Sequence, residues 1–488
     1  MSDDFFYSSI IEAKDSSLIP LCKNKSTGQE ISLHSKYNPV REGESFASQI
    51  SEDSLFIVVL GLAGAYHIAK ICEKFPKAKI LAVEISKETI DFLSVIPQVK
   101  KILENKAVIP CGIEELSEKF LNNYKPSIHG NLTILSLRQW ESVFSEQAAI
   151  ARKKIMDGLK CLSADYSVQK HFGKIWQKNI LSNLSLAEKT LSFNSAVQIF
   201  DLKKTAAIIA AGPSLDQNIS ELKNNRGKYY IIATDTAFSA LTKEGIESDA
   251  VVSIDGQIFS HEHYMEKLPD KTLYVFDLCA NAASVRKAIK TGKKVLLSES
   301  GHPLAQYASL YKGNRSFIHL EAGSGTVTIA AASLAKKAGF SKISFFGADF
   351  AYIEGRPYCR GSYLEKQFHA KSNRFHSAEH SYCAIMYRTP LRKISPDKKT
   401  TEILEAYRLS LADFMKKPDE KDSIAAGKFN LADFKSHYCN DLKSAFTNQD
   451  CYDEGSYAFT TLLPLCAKLG KDSAFLAYLK TLSYTEWV

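Results

Sequence analysis

The sequence predicts an α/β protein with two Rossmann-like units built on parallel sheets, a helical linker between them and a helical C-terminal region. Two observations carry this expectation. Apolar runs ending in glycine turns occur at Leu55–Leu60 and Ala206–Ala210, each followed by helical spacing and a further apolar run, the pattern of strand–helix–strand units. The chain's 488 residues, 45% of them hydrophobic, also suffice to fill two or three cores. The expected divisions are residues 1–137, a linker at 138–200, a central domain at 201–390 and a helical domain at 391–488.

After a leader to about Ser51, Leu55–Leu60 reads as a strand, Gly61-Leu62-Ala63-Gly64-Ala65 as a turn, His67–Lys74 as a helix stopped before Pro76, and Lys79–Glu84 as a second strand. Counted from Gly61, the second and third glycines of a dinucleotide fingerprint are replaced by Ala63 and Tyr66. The opening resembles methyltransferase-like domains, in which an acidic residue at the position of Glu84 holds a ribose. From Arg138 to about Lys189 the pattern is helical and rich in Lys, Gln and Ala.

The second unit starts with a strand at Ala206–Ala210, broken by Ala211-Gly212-Pro213-Ser214-Leu215-Asp216 before helical spacing resumes at Asn218–Lys223. A glycine turn feeding a helix aims free N–H groups and the positive end of the helix dipole at one spot, which suits phosphate. Ser214 and Asp216 read equally well as N-caps. Tyr229–Asp235 and Ala250–Gln257 are further strands, placing Asp235 and Asp255 at the same edge as the Gly212 turn. Gly323-Ser324-Gly325-Thr326 then opens an Ala-rich helix over Val327–Lys337, and the strand Ile343–Phe346 leads to Asp349, Tyr352 and Tyr358. Polar groups just past the C-terminal ends of parallel strands lie where such sheets bind ligands.

The net charge of +8, from 62 Lys and Arg against 54 Asp and Glu, suits an anionic substrate and gives no dedicated nucleic-acid stripe. Ten cysteines without a C-x-x-C pair suggest reduced thiols rather than a zinc knuckle or disulfide framework. The acidic start Met1-Ser2-Asp3-Asp4 and the lack of a long apolar run imply no signal and no membrane span, hence a cytoplasmic protein.

The blocks AAGPSLDQNI, ATDTAFSALTKEGIESDAVVSIDGQ and GSGTVTIAAASLAKKAGFSKISFFGADFAYIEGRPY resemble the motility-associated factor (Maf) glycosyltransferase-like family, over roughly residues 200–390, with a looser likeness from SKYNPVREGE onward. The resemblance implies transfer of nonulosonic, sialic-acid-like sugars to serine and threonine hydroxyls of flagellin. It also implies a central domain similar to small bacterial sialyltransferases, which use CMP-activated donors and need no cofactor. In that light Gly212, Pro213 and Ser214 form the donor-nucleotide turn, Asp235 and Asp255 stand near the nucleotide and sugar, and Ser324 and Gly325 form a second donor turn beside Asp349. Ala211 departs from the pattern, where an asparagine is usual. Tyr352 and Tyr358 match a tyrosine pair holding the leaving phosphate, a role that two phenols fill without a metal. The proton acceptor is expected among His369, His376 and His380, with His380 favoured by its separation from the tyrosines and His376 next.

Two other chemistries stay open in the residues. His376-Ser377-Ala378-Glu379-His380 fits the H-x-x-E-H inverted zincin pattern, and the wider family includes pterin diphosphokinase-like (MptE-like) enzymes. A non-catalytic flagellin-binding role is a third alternative, of another class.

Overall fold

The computed structural model describes residues 5–262, 264, 268–323, 325–418, 429–449, 451–470 and 473–487. The protein is mixed α/β and divides into two units, residues 1–173 with 463–474 and residues 174–462 with 475–488. The division falls inside one 40-residue helix, Ser145–Leu184.

In the first unit, the segment read from sequence as a leader folds into an antiparallel sheet of β1 (Phe5–Glu12), β2 (Leu18–Asn24) and β3 (Glu30–Ser32). A parallel sheet follows, made of β4 (Phe56–Leu60), β5 (Lys79–Glu84), β6 (Val108–Gly112) and β7 (Leu132–Ser136), in the order β6-β5-β4-β7. All five β4 residues are buried, and the period of two divides them between two cores. Phe56, Val58 and Leu60 join one core with Leu81 and Val83, while Ile57 and Val59 join the other with Ile80 and Ala82. Burial on both faces explains why β4 reads as one continuous apolar run.

The second unit holds seven parallel strands, β8 (Thr205–Ile209), β9 (Tyr229–Thr234), β10 (Ala250–Ser253), β11 (Leu273–Asp277), β12 (Lys294–Glu299), β13 (Ile318–His319) and β14 (Ile343–Phe346). Their order is β13-β12-β11-β10-β9-β8-β14. The chain therefore steps outward from β8 to β13 and then returns to place β14 on the other side of β8. The returning helix, Val327–Ala338, is mostly small residues, and Ala330, Ala331, Leu334 and Ala335 pack on Ile208, Ile232 and Val252. Because the strand order reverses at β8, the loops leaving β8 and β14 lie side by side, the arrangement that opens a ligand crevice in α/β sheets.

The second unit's part of helix Ser145–Leu184 closes another stretch of the same sheet edge. Asn179 donates to the carbonyls of Gly256 and Cys279, and Asn183 to those of Leu278 and Ala280, at 2.9–3.1 Å. After β14 comes a small antiparallel sheet of β15 (Tyr352–Ile353), β16 (Arg392–Ser395) and β17 (Lys398–Thr400), in the order β15-β17-β16. The region beyond residue 391 thus carries strands as well as the helices Glu402–Lys416, Leu431–Ala445 and Ala474–Trp487, and its residues are shared between the two units. Among the described residues no helix is long and apolar enough to cross a membrane.

Candidate active site

The turn after β8 differs from its sequence expectation in one chemical respect. Its N–H groups are engaged within the protein rather than free. Gly212 N donates to Gly347 O at 2.8 Å, Ser214 N donates to Asp349 Oδ2 at 2.8 Å, and the N–H groups of Leu215, Asp216 and Gln217 bond back to Gly212, Pro213 and Ser214 carbonyls. Pro213 has no N–H to offer. The anion at the start of helix Leu215–Asn224 is therefore the Asp349 carboxylate, arriving from β14, where the helix end favours negative charge. Gly212 is required by this approach, since a Cβ there would lie 2.4 Å from both Asp349 Oδ2 and Gly347 O.

Asp216, read from sequence as a possible cap, fastens the loop that follows Asp349. Its carboxylate accepts from Arg356 Nη1 at 2.6 Å and from Arg360 N at 2.9 Å, while Cys359 N donates to Ala211 O at 2.9 Å. Phe350 and Glu354, both non-glycine, are held at φ of 45° and 51°. Backbone kept in this sparsely populated region persists only where its surroundings fix it, and it concentrates at functional sites. The Phe350 carbonyl accepts from Thr400 Oγ1 at 2.9 Å, tying the strained loop to β17.

This loop carries Tyr352 and Tyr358, both half-buried. Burial pushes the Tyr358 phenol up in pKa, and the neighbouring Tyr352 adds to it. Burial also raises Tyr352, opposed by the Arg388 guanidinium. Both groups stay protonated at neutral pH and so remain hydrogen-bond donors, the form that stabilises a departing anion.

Other expected residues are placed differently. Asp235 begins helix Asp235–Lys243 instead of ending β9; it is 2% exposed, and its carboxylate accepts from Ser253 Oγ at 2.6 Å and Thr236 N at 2.7 Å. Such an inward-turned group shapes the edge rather than presenting itself at the surface. Asp255 is partly exposed and accepts from Gln257 N at 2.9 Å. Gly325 sits in the turn before helix Val327–Ala338 at φ 90°, with open space where a Cβ would point, and Ser324 lies outside the described residues.

The three histidines diverge. All three are exposed; the rings of His376 and His380 lie 5.0 Å apart, and no bond or ring contact joins either to the tyrosines among the described residues. His369 Nε2 lies 3.2 Å from Tyr382 Oη and 3.3 Å from Glu365 Oε1. Tyr382 is buried in a small apolar cluster against which Tyr352 packs. Through Tyr382 and this cluster His369 is connected to Tyr352, a connection that chain separation did not indicate. Among the described residues no group of three or more His, Cys, Asp or Glu is gathered for a metal ion.

In the first unit, the crevice beside β4 and β5 does not fit a nucleotide cofactor. Glu84 is fully buried and accepts from Leu62 N, Ala63 N, Ile85 N, Tyr7 Oη and Trp140 Nε1 at 2.7–3.2 Å. The carboxylate that would hold a ribose is used up by the protein. Trp140 also occupies the space over the glycine turn, where a Cβ on Gly61 would lie 2.7 Å from Trp140 Cγ.

Residues 178–355 match the family model described as 6-hydroxymethylpterin diphosphokinase MptE-like. Three similar proteins of Treponema pallidum (strain Nichols) are each named only as uncharacterized. One is 39% identical over 149 residues, 30% of this chain and 52% of that protein, so the chain spans about half of that relative's length. A second is 35% identical over 150 residues, 30% of this chain and 70% of that protein. The structure titled MAf glycosyltransferase from Magnetospirillum magneticum AMB-1 aligns with a TM-score of 0.49 and 11% identity, covering 99% of this chain and 89% of that one. The chain belongs to the same family as the second Treponema pallidum protein, and its residues 178–355 carry an MptE-like domain.

Proposed function

We propose that the second unit is a glycosyltransferase that moves a nonulosonic sugar from a CMP-activated donor to serine or threonine hydroxyls of flagellin, working in the cytoplasm. The observation that carries this reading is the pair of protonated phenols, Tyr352 and Tyr358, on a strained loop at the strand-order reversal. In this reaction the acceptor oxygen bonds to the anomeric carbon, the bond from that carbon to the CMP phosphate oxygen breaks, and the hydroxyl proton passes to a histidine. Two phenol donors supply the electrostatic help the leaving phosphate needs, so the reading requires neither metal nor cofactor.

The donor would lie along the turns of Gly212, Pro213 and Ser214 and of Ser324 and Gly325, with Asp255 and Asp349 at its polar end and Asp235 behind. With Ser214 N already bonded to Asp349, the turn offers shape and the Ser214 hydroxyl rather than a row of N–H groups. The proton acceptor lies among His369, His376 and His380, and the link through Tyr382 favours His369.

A second reading is pyrophosphate transfer to a pterin, favoured by the description of the family model matching residues 178–355. Thermal shift separates the two. CMP should raise the melting temperature more than ATP with 6-hydroxymethylpterin, because only the ligand of the folded state stabilises it. Stabilisation by ATP and pterin without a response to CMP would replace the first reading by the second.

A further inference from the structure

Residues 371–399 hold seven Lys or Arg and two Asp or Glu, a concentrated share of the chain's +8 charge. Among the described residues, Lys371, Arg374, Arg388 and Lys393 form no ion pair, and Arg388, Arg392, Lys393 and Lys399 are exposed. Arg392 and Lys393 of β16 and Lys398 and Lys399 of β17 lie on the small sheet that carries Tyr352. Lys393 of β16 stands opposite Lys399 of β17, and Lys399 stands opposite Tyr352 of β15. Directly opposed residues of antiparallel strands project on one face, so two lysines and the candidate tyrosine form a single row.

Like charges placed opposite each other destabilise a sheet. Lys399 finds partial relief over the Tyr387 ring, 5.8 Å from its centroid, whereas Lys393 lies over no ring among the described residues. β16 is moreover an edge strand with all four residues exposed, and its outer side is unpaired among the described residues. Its lysine and arginine repel the edge of a second copy of this basic chain. The row crosses the sheet from the open β16 edge to Tyr352 rather than converging on one point, which fits a linear polyanion laid across it better than a compact phosphate.

We propose that β16 and the Lys393–Lys399–Tyr352 row are the docking surface for the acceptor, an acidic, extended polypeptide segment that presents its hydroxyl beside Tyr352. The proposal rests on the transferase reading for the word acceptor, and its test does not depend on turnover. A fluorescein-labelled twelve-residue peptide of alternating Ser or Thr with Asp or Glu is titrated with the full chain at low and at moderate salt, and its lysine counterpart serves as control. The acidic peptide should bind at least tenfold tighter than the basic one, weaken with salt, and lose at least tenfold on Lys393→Glu with Lys399→Glu. The basic peptide should gain on the same double variant, which also shows that the variant is folded.

Equal binding of the two peptides, or no change in the double variant, would overturn the proposal. So would binding to phosphatidylglycerol vesicles that the variant abolishes when the acidic peptide does not bind, because the surface would then be a membrane contact. Competition by CMP for the peptide, with loss of the CMP thermal shift in the variant, would assign the cations to the donor and overturn it too. Charge-dependent peptide binding with no CMP response would leave the docking surface standing and remove the sugar-transfer reading.

Discussion

Ser214 gives its backbone N–H to Asp349 Oδ2 at 2.8 Å, joining the start of the helix after β8 to the end of β14 across 135 positions of sequence. This bond does what an N-cap does, with a carboxylate supplied from a distant strand. Replacing Asp349 by Ala should therefore cost about 0.5–2 kcal/mol in urea unfolding, the range for losing a cap. Asn, which keeps an acceptor oxygen, should restore most of it. Equal stability of Asp349→Ala and the parent protein would show that water replaces the carboxylate without loss.

The tyrosine pair gives the sharpest catalytic expectation. On the proposed reading, Tyr352→Phe or Tyr358→Phe removes one donor toward the departing phosphate while keeping the ring that fills its place. Each should lower kcat by about a hundredfold or more, from a loss of about 2.7–4 kcal/mol. Unfolding should change little. Unaltered sugar transfer in the double variant would take both phenols out of the mechanism.

These two sites differ in how far the sequence reveals them. The strand Ile343–Phe346 and the helix beginning at Val327 are legible because apolar runs and Ala-rich composition are local signals, and the structure places them there. The Gly212 turn is legible as a turn, but not as a turn whose N–H groups are engaged, because Asp349 and Gly347 reach it only through the strand order. Glu84 shows the same limit. Its position at the end of β5 is local information, whereas its enclosure by Tyr7 and Trp140 depends on chain brought from either side. The antiparallel strands β1 to β3 are not legible, because β1 and β3 are at most partly buried and β2, though buried over residues 19–22, has Pro20 inside its run, so none shows a clean alternation.

Among the histidines, His369→Ala should reduce transfer by about 10²–10⁴-fold, the usual contribution of a general base. His376→Ala and His380→Ala, without a link to the tyrosines among the described residues, should reduce it less. Tyr382→Phe should act in the same direction as His369→Ala but more weakly, since it removes the hydroxyl 3.2 Å from His369 Nε2. Full loss in His380→Ala with normal activity in His369→Ala would return the assignment to the position that chain separation favours.

Asp277, at the end of β11, offers a test by pH. It is 1% exposed, and burial, with a smaller contribution from Glu299, raises its pKa from 3.8 to about 6, against the bond from Cys279 N. The folded protein thus holds this proton more tightly than the unfolded chain. Below pH 4 both states are protonated and the stabilisation is fully present; as pH rises from 4 through 6 the unfolded chain ionises first and stability falls. The shift corresponds to about 3 kcal/mol. Denaturant midpoints taken from pH 4 to 7 should decline in this window for the parent protein and decline less for Asp277→Asn. Parallel curves would mean that the loss arises elsewhere.

The long helix provides a steric test in the first unit. Gly173 lies inside Ser145–Leu184, where glycine is otherwise unfavourable to a helix by about 1 kcal/mol relative to alanine. Its retention is explained by the backbone of residues 463–474, since a Cβ on Gly173 would fall 1.8 Å from the Pro464 carbonyl oxygen. A peptide carbonyl cannot swing aside as a side-chain end can, so one of the two backbones must shift. Gly173→Ala should therefore lower stability by about 1–3 kcal/mol, the cost of overpacking, despite the gain in helix propensity. Gly227→Ala is the matched control, because a Cβ there meets nothing within 4 Å. Stabilisation by Gly173→Ala in thermal unfolding would mean that residues 463–474 do not pack against the helix at this point.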